Sequence, residues 1–353
     1  MPLSDEALRF FEAYQTDYGR MEGAAAAAEF LVGDALRDLP VEIHAVTGRA
    51  KKPLSLLKKL RAGDYQNPAE QVTDQVAVRV ITYYEDHVDP VVARLSQRFE
   101  IKPGESQDLA ARLPVGAFGY RSHHLVVRAT VDGLAGSQAQ GLRGLWFEIQ
   151  VRSVLAHAWA EIEHEVVYKS GSVIPDDLNA RFAEIAASLG VADREFIRLR
   201  HDRDALVTDY AERYGRGEDW DEPLDASRLI AALEVVRPSG LSFRCAQVEG
   251  TTFPPHIETT CLDALVEAGI RNGSELRDRL GHERCVICLE SYGALADVPP
   301  NEVSHYSVCV VAAGCTDPET FMRQFRDLLE DEILTRALTP DPDDDAALDE
   351  PPQ

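Results

Sequence analysis

The sequence has few basic side chains for its length and no long apolar stretch. Lysine and arginine total 36 of its 353 residues against 60 aspartates and glutamates, so the formal net charge is −24. This acid excess argues against a protein that coats nucleic acid non-specifically, because neutralising phosphates requires clustered cations. No run approaches the roughly 18 apolar residues that a membrane-spanning helix needs, so we do not expect a membrane protein.

The sequence also lacks the marks of a secreted protein. Its first residues, MPLSDEALRFFEAYQ, carry acids before any apolar stretch and lack the basic start of a secretion signal. Its 6 cysteines in a chain of this length do not form the disulfide framework of a small secreted domain. We therefore expect a cytoplasmic protein, and its length suggests roughly two domains.

Apolar periodicity predicts a first unit in which helices and strands alternate. After two helices over residues 5–38, the predicted strands are 41–46, 76–81, 123–130 and 146–151, and the predicted helices are 53–61, 88–99, 153–168 and 175–206. This order indicates a compact unit that mixes helices with a sheet.

The last third of the chain predicts a second, smaller α/β unit. The expected strands are 241–248, 284–290 and 308–312, and the expected helices are 261–268, 274–280 and 318–338. Cys285 and Cys288 form a CxxC without a second pair at zinc spacing, so we expect both to be core residues of a buried strand.

These patterns together predict the domain organisation. We expect N-terminal helices over residues 1–40, a main domain with a trailing helix over 41–206, a linker over 207–223, a small α/β domain of unassigned role over 224–338 and a disordered acidic tail over 339–353.

A cluster of cations stands out against the acidic background. Residues 41–61 contain 6 basic residues and one acid. Among them, Arg49, Lys51 and Lys59 accompany Ser55 across a turn and the face of one short predicted helix. Cations and a hydroxyl near a helix N-terminus suit a polyphosphate, because the helix dipole acts together with the charges. The alternative interpretation is a solvated basic helix face.

Two carboxylates are associated with separate predicted strands. Asp74 precedes the strand 76–81, and Glu148 alternates with apolar residues so that it shares one strand face with Gln150 and Arg152. Mg²⁺ on nucleotide phosphates typically takes one or two carboxylates, which this pair could supply. The alternatives are a turn residue for Asp74 and a solvent-facing strand for Glu148.

Two further segments carry polar groups. In Gly119-Tyr120-Arg121-Ser122-His123-His124, the tyrosine ring next to a glycine could stack on a base, or it could simply pack. On the helix 153–168, the residues His157, Glu161, His164 and Tyr168 share one face, which lines the same cleft or forms a hydrogen-bonded core face. No HExxH accompanies them, so we do not expect a metal on this helix.

The order of these motifs resembles the synthetase domain of the RelA/SpoT family, the (p)ppGpp alarmone synthetases, and in particular its small members with a single synthetase domain. The motifs are Arg49-x-Lys51-x-Pro53-x-Ser55-x-x-x-Lys59, then Asp74 with Arg79, then Gly119-Tyr120-Arg121-Ser122-x-His124, then Glu148-Ile149-Gln150-Val151-Arg152, and finally Trp159-x-x-x-Glu163-His164 with Tyr168-Lys169. The resemblance covers residues 41–170 and implies an α+β fold with a nucleotidyltransferase-like mixed β-sheet flanked by helices.

The resemblance also implies an activity and a set of site residues. The family transfers the pyrophosphate of ATP to the 3′-hydroxyl of GDP or GTP and releases AMP. On the donor side, the resemblance assigns the ATP phosphates to Arg49, Lys51, Ser55 and Lys59, and adenine to Arg49 and Arg79. It makes Asp74 and Glu148 the ligands of Mg²⁺ and gives Glu148 the activation of the acceptor hydroxyl. On the acceptor side, it assigns guanine stacking to Tyr120 and further contacts to Ser122, His124, Gln150 and His157.

Strict strand alternation places Asp74 and Arg79 on opposite faces. We therefore expect Asp74 in the turn before the strand, or a bulge in the strand.

The sequence departs from the family pattern on the acceptor side. Gly116 stands where a lysine usually precedes the stacking tyrosine, and His157 stands where an asparagine is common. Arg112 or Arg121 could replace the missing cation. The departure leaves two alternatives open: a toxin-type synthetase that pyrophosphorylates the 3′ end of tRNA, and a non-catalytic nucleotide sensor. By family analogy we also expect a homo-oligomer.

Overall fold

The computed structural model describes residues 3–108, 122–129, 141–168, 176–236, 257–296, 305–318 and residue 338. The chain divides into two compact units, residues 1–198 and 199–353. Several predicted features lie outside the described residues: Tyr120, Gly116, Arg112, Arg121, the strand 241–248 and the acidic tail 339–353.

The first unit mixes helices and strands along the chain. Its helices are α1 (Asp5–Thr16), α2 (Tyr18–Leu36), α3 (Pro53–Ala62), α4 (Pro68–Gln71), α5 (Val88–Arg98), α6 (Val154–Glu163) and α7 (Asp176–Gly215), the last of which passes the boundary between the units. Its strands are β1 (Ile43–Ala50), β2 (Val76–Thr82), β3 (Phe99–Ile101), β4 (Gln107–Asp108), β5 (His123–Ala129) and β6 (Phe147–Ser153). These bounds confirm the predicted α+β class and the strands predicted at 76–81, 123–130 and 146–151.

The strands form one mixed sheet. Its order is β1-β2-β6-β5-β3, and β4 also pairs with β5. β2 and β6 run parallel to each other, whereas the other neighbouring strands are antiparallel. The parallel pair thus lies inside the sheet, where both strands have a partner on each side.

One face of the sheet forms the hydrophobic core. Alternate residues of the two central strands are buried there and pack with α2 and α5, namely Val76, Val78 and Val80 of β2 and Phe147, Ile149 and Val151 of β6. Because strand side chains alternate, the residues between them project from the opposite face. That second face carries the polar side chains of the site.

The first strand differs from the prediction in length. The predicted strand 41–46 is the eight-residue strand β1, which extends to Ala50. Arg49 therefore lies on a strand and not on the turn or helix face expected from the sequence. Gly48 makes this extension compatible with α2, because a Cβ at Gly48 would lie 2.4 Å from the backbone oxygen of Ala25.

Apart from one isolated β-bridge between Pro223 and Asn272, the regular elements described in the second unit are helices. They are α8 (Ala226–Val235), α9 (Ile257–Glu267), α10 (Gly273–Leu280), α11 (Glu283–Ala296) and α12 (His305–Gly314). The strands predicted at 284–290 and 308–312 are wrong, since these residues lie in α11 and α12. The prediction of a small α/β domain is therefore wrong for this part of the chain.

The physical reason is the burial of these helices. Cys285, Cys288 and Leu289 are fully buried at helical spacing, and the residues 308–313 are buried on every side of α12. A short apolar run that is buried all round has no visible period, so it cannot be distinguished from a strand by pattern alone. The two cysteines are nevertheless core residues with free thiols, as predicted.

The predicted linker 207–223 is also partly ordered structure. Its first residues belong to α7, which continues to Gly215. Tyr214 and Trp220 are buried in the core of the second unit, with ring centroids 4.5 Å apart. In the part of the chain that the structure describes, no helix has both the length and the apolar character required to cross a membrane.

Candidate active site

Asp74 lies between two lysines at the edge of the polar sheet face. Its carboxylate oxygens are 2.7 Å from Lys51 Nζ and 2.8 Å from Lys59 Nζ. Lys51 directly follows β1 and Lys59 lies on α3, so the short turn before β2 brings three separate segments together. Asp74 is in that turn, Thr73–Gln75, which confirms the expected position before the strand.

The lysines determine the protonation of this carboxylate. Burial by itself would raise the pKa of Asp74, but hydrogen bonds from Lys51 and Lys59 and their positive charges outweigh it. The pKa of Asp74 is therefore below its ordinary value, and the group is an anion at neutral pH. We call Asp74, Lys51 and Lys59 the aspartate–lysine cluster.

Glu148 lies further into the same face, on β6. Its Oε1 atom is 2.5 Å from His124 Nδ1 and accepts a hydrogen bond from Gln150 Nε2 at 2.9 Å. Burial raises the pKa of Glu148, but the hydrogen bond and charge of His124 and the hydrogen bond of Gln150 lower it further, so its pKa is below the ordinary value. The negative charge of Asp74 acts in the raising direction, so the two carboxylates are close enough to interact.

The strand register explains why these side chains meet. Arg79 pairs with Gln150, and Gln150 pairs with His124, so these three residues form one row across β2, β6 and β5. The next row contains Arg49, Ala77 and Glu148. Adjacent strands are about 4.8 Å apart, so the backbones of Arg49 and Glu148 are about 10 Å apart, with only the small Ala77 between them. This row therefore places Arg49 and Glu148 on either side of a buried alanine.

A group of cations lies at the other end of the polar face. Arg79 Nη1 is 3.0 Å from Glu161 Oε1, and Arg152 Nη2 and His157 Nδ1 are each 3.9 Å from the same oxygen. Burial and the positive charges of Arg79 and Arg49 lower the pKa of Arg152 to about 10, despite the opposing charge of Glu161. Like charges held this close favour the binding of an anion beside them.

Two buried hydrogen-bond donors without partners in the described part of the chain lie in the same group of cations. The Nε atoms of Arg79 and Arg152 are buried and have no hydrogen-bond partner among the described residues. A buried donor without an acceptor is costly unless a ligand or water satisfies it. These two N–H groups are therefore available to a bound anion or to an acceptor atom on a nucleotide.

The structure brings most of the predicted site residues together. On one polar face or at its edge lie Arg49, Lys51, Lys59, Asp74, Arg79, His124, Glu148 and Gln150. Ser55 is exposed in the first turn of α3, one turn before Lys59 on the same side of the helix.

Two acceptor-side residues occupy different surroundings from the His124 group. His157 lies beside Glu161, at the arginine end of the face. Ser122 is buried, and its hydroxyl has no hydrogen-bond partner among the described residues.

Sequence reasoning placed Arg152 and Glu161 on the polar faces of β6 and α6 but gave neither of them a specific contact in the site. Arg152 and Glu161 complete the cation group, and each carries a sequence signal: Arg152 shares a strand face with Glu148, and Glu161 shares a helix face with His157. Arg152 and Glu161 come together because α6 packs over β6. The residue periodicity within each segment does not predict that packing.

A separate cavity of about 380 Å³ lies near the start of β6. Lys102 and Arg128 line it and lie 5.7 Å and 4.7 Å from the ring centroid of Trp146. Lys102 is ion-paired to Glu105, and Arg128 is ion-paired to Glu100. None of the predicted site residues that the structure describes lines this cavity.

Comparison with known proteins finds relatives for the part of the chain that contains this site. A model described as the region found in RelA/SpoT proteins matches residues 48–173. These residues form a small-alarmone-synthetase-like domain. We call this region the synthetase-like domain; it contains the described site from Arg49 to Glu161 and no residue of the second unit.

Two curated relatives come from Bacillus subtilis (strain 168). The chain is 28% identical over 159 residues to GTP pyrophosphokinase YjbM, which is 45% of this chain and 72% of that protein. It is 24% identical over 135 residues to GTP pyrophosphokinase YwaC, which is 38% of this chain and 61% of that protein. The second relative is thus matched over less than two thirds of its length.

Solved structures are similar over about half of the chain. The small alarmone synthetase 2 of Bacillus subtilis is 22% identical, with a TM-score of 0.43, over 53% of this chain and 99% of that chain. The small alarmone synthetase 1 of the same organism, bound to its product pppGpp, is 24% identical with a TM-score of 0.43, over 54% of this chain and 98% of that chain.

The two carboxylates at the site suit a magnesium ion only if a bound ligand supplies further oxygen atoms. Asp74 and Glu148 supply carboxylate oxygens, but no group of three or more His, Cys, Asp or Glu residues suited to a metal occurs among the described residues. Mg²⁺ commonly binds through one or two carboxylates, with phosphate oxygens and waters completing its shell. The two carboxylates therefore fit an ion that arrives with a nucleotide.

Proposed function

We propose that the synthetase-like domain transfers the β,γ-pyrophosphate of ATP to the 3′-hydroxyl of GDP or GTP, which forms (p)ppGpp and releases AMP. In this step the bond between the α-phosphate oxygen and the β-phosphorus breaks, and a bond from the acceptor 3′-oxygen to the β-phosphorus forms. The observation that carries the proposal is the position of Glu148, beside His124 and Gln150 and within electrostatic reach of Asp74.

On the donor side, the aspartate–lysine cluster is the proposed phosphate site. Lys51 and Lys59 are ammonium groups that can move from Asp74 to phosphate oxygens, and Ser55 can add a hydroxyl donor. Arg49 and Arg79 lie on the neighbouring strands β1 and β2 and would flank the base. Mg²⁺, when bound by Asp74 and Glu148 with phosphate oxygens, would neutralise the charge that develops on the transferred group.

On the acceptor side, Glu148 is the proposed base. A lowered pKa keeps the carboxylate ionised at neutral pH, so it can accept the proton of a 3′-hydroxyl placed within hydrogen-bond distance. His124 and Gln150 hold the carboxylate by one oxygen and leave the other available. We propose Tyr120, Ser122 and His157 as further acceptor contacts, by their positions in the motif.

The decisive experiment follows the label of γ-labelled ATP with Mg²⁺ and either GDP or GTP. We expect label on the guanosine nucleotide and an equal amount of AMP. Glu148→Gln should lower the rate by about 10²- to 10⁴-fold, because it removes the base and one metal ligand. Glu100→Gln is the matched control: it neutralises a glutamate that is ion-paired to Arg128 on the neighbouring part of the sheet and should retain the rate.

The same assay tests the two alternative functions. Deacylated tRNA is offered as a third acceptor. Label on tRNA alone would show that tRNA, and not GDP or GTP, is the acceptor. Binding of ATP without transfer to any of the three acceptors would indicate a nucleotide sensor. Full activity in Glu148→Gln would contradict the assignment of the base.

A further inference from the structure

A tyrosine from the first helix reaches the edge of the site. Tyr14 of α1 is 4% exposed and packs in a small hydrophobic cluster with Met21, Leu56, Leu60 and Val72. Its hydroxyl donates a hydrogen bond to the backbone oxygen of Lys51 at 2.6 Å, and the backbone oxygen of Gln75 is 3.3 Å from the same hydroxyl. The phenol therefore contacts two of the three chain segments that carry the aspartate–lysine cluster, the end of β1 and the turn before β2.

These two segments are also joined directly. The backbone N–H of Lys51 donates to the backbone oxygen of Gln75 at 2.8 Å. Asp74 precedes Gln75, and its carboxylate is held by the Lys51 ammonium. The end of β1 and the turn before β2 are thus connected by one backbone bond, one ion pair and the Tyr14 hydroxyl.

The hydroxyl remains protonated over the pH range in which an enzyme of this kind is assayed. Burial raises the pKa of Tyr14 above its ordinary value, as do the charges of Tyr18 and Asp74, whereas the hydrogen bond to Lys51 lowers it. A neutral phenol can donate its proton to a carbonyl, so the contact persists under assay conditions.

We propose that Tyr14 is a positioning residue for phosphate and metal binding, which fixes the backbone at Lys51 and Gln75 so that Lys51 and Asp74 face the donor nucleotide at the right separation. This inference rests on the proposed function and assigns a role to α1, which lies outside the region matched by the RelA/SpoT model. Tyr14 acts through Lys51 and Asp74 and does not itself contact the nucleotide.

The test compares Tyr14→Phe with Tyr18→Phe in the full chain. Tyr18 is the matched control, because it packs against the same cluster and its ring centroid is 6.1 Å from that of Tyr14, but it has no contact with Lys51 among the described hydrogen bonds. For Tyr14→Phe, we expect the KM for ATP and the Mg²⁺ concentration at half-maximal rate to rise about three- to tenfold, as for the loss of one hydrogen bond. The KM for the guanosine nucleotide should not change.

A purely structural tyrosine would behave differently. It would lower the melting temperature and the active fraction, but it would leave the KM for ATP and the Mg²⁺ requirement as they are in wild type. That result, or equal effects of the two tyrosine variants, would overturn the proposal.

A second measurement does not depend on turnover. The affinity for a non-hydrolysable ATP analogue is measured with and without Tyr14→Phe, first in the wild-type chain and then in a chain that carries Lys51→Ala. We expect a three- to tenfold loss in the first background and a smaller loss in the second, because the tyrosine acts partly through the Lys51 ammonium. Hydrogen exchange of the Lys51 amide should accelerate in Tyr14→Phe. Unchanged affinity and exchange would overturn the inference, whereas absence of transfer by the wild-type chain would overturn only the proposed function.

Discussion

At the scale of single residues, Asp74 and Glu148 have different partners and therefore different capabilities. Asp74 is bound by two ammonium groups, so its charge is balanced before any ligand arrives. Glu148 is bound by an imidazole and an amide. Phosphate oxygens can take over the lysines and free Asp74 for a metal, while Glu148 keeps its partners and its negative charge. This difference is why we place the base at Glu148.

The pKa of Glu148 leads to a prediction about stability. Its folded-state pKa lies below 4.5, so the unfolded chain binds more protons than the folded chain in the interval between the two values. The stabilisation from this group is therefore present above pH 4.5 and is lost as the pH falls through the folded-state pKa. Glu148→Gln removes this titration.

Urea unfolding at several pH values between about 3 and 7 measures the difference. We expect the wild-type free energy of unfolding to fall more steeply toward acid than that of Glu148→Gln, so that the two curves approach each other at low pH. Parallel curves would show that Glu148 has the same pKa in the folded and unfolded chains.

At the scale of elements, the contact between β1 and α2 positions the donor side. The backbone N–H of Gly48 donates to Glu29 Oε2 at 2.7 Å, and the space at its Cα is filled by the backbone of Ala25. Arg49 and Lys51 follow within three residues. A side chain at Gly48 would push β1 away from the helix and move both cations.

Gly48→Ala should therefore lower the free energy of unfolding by about 1–3 kcal/mol, the usual range for overpacking. It should also raise the KM for ATP. Gly33→Ala on α2 is the control, because no atom lies within 4 Å of its added Cβ, and alanine in a helix is neutral or stabilising by up to about 1 kcal/mol. Chemical denaturation of both variants measures the difference, and equal stabilities would contradict the prediction.

Individual strands and helices also show how far the sequence predicts the structure. Alternation on β6 correctly places Glu148, Gln150 and Arg152 on one face, since a half-buried strand has a clear period of two. The buried helix α12 was predicted as a strand because it has no polar side to reveal its period. The Tyr14 hydrogen bond to Lys51 spans 37 residues, and no local pattern contains a contact of that range.

At the scale of the whole molecule, the synthetase-like region is not the complete folding unit. The matched region ends at residue 173, but the first compact unit continues to residue 198. Residues 176–198 form the first part of α7, where Asp193 accepts a hydrogen bond from the hydroxyl of Ser153 at 2.9 Å. Both residues are about 1% exposed, and Ser153 is also the N-cap of α6. The helix that carries His157 and Glu161 is thus anchored from outside the matched region.

This anchoring predicts that the fragment 1–198 folds cooperatively and that the fragment 1–173 is less stable. The shorter fragment leaves the buried Ser153 hydroxyl without Asp193 and removes the backbone oxygen of Phe182 from the indole N–H of Trp159. Each lost hydrogen bond contributes about 0.5–1.5 kcal/mol, and the packing of α7 is lost with them, so thermal unfolding of 1–173 should occur at a clearly lower temperature. Asp193→Ala within 1–198 isolates the first contact and should give an intermediate melting temperature. If all three fragments melt together, α7 contributes nothing to the stability of the synthetase-like domain.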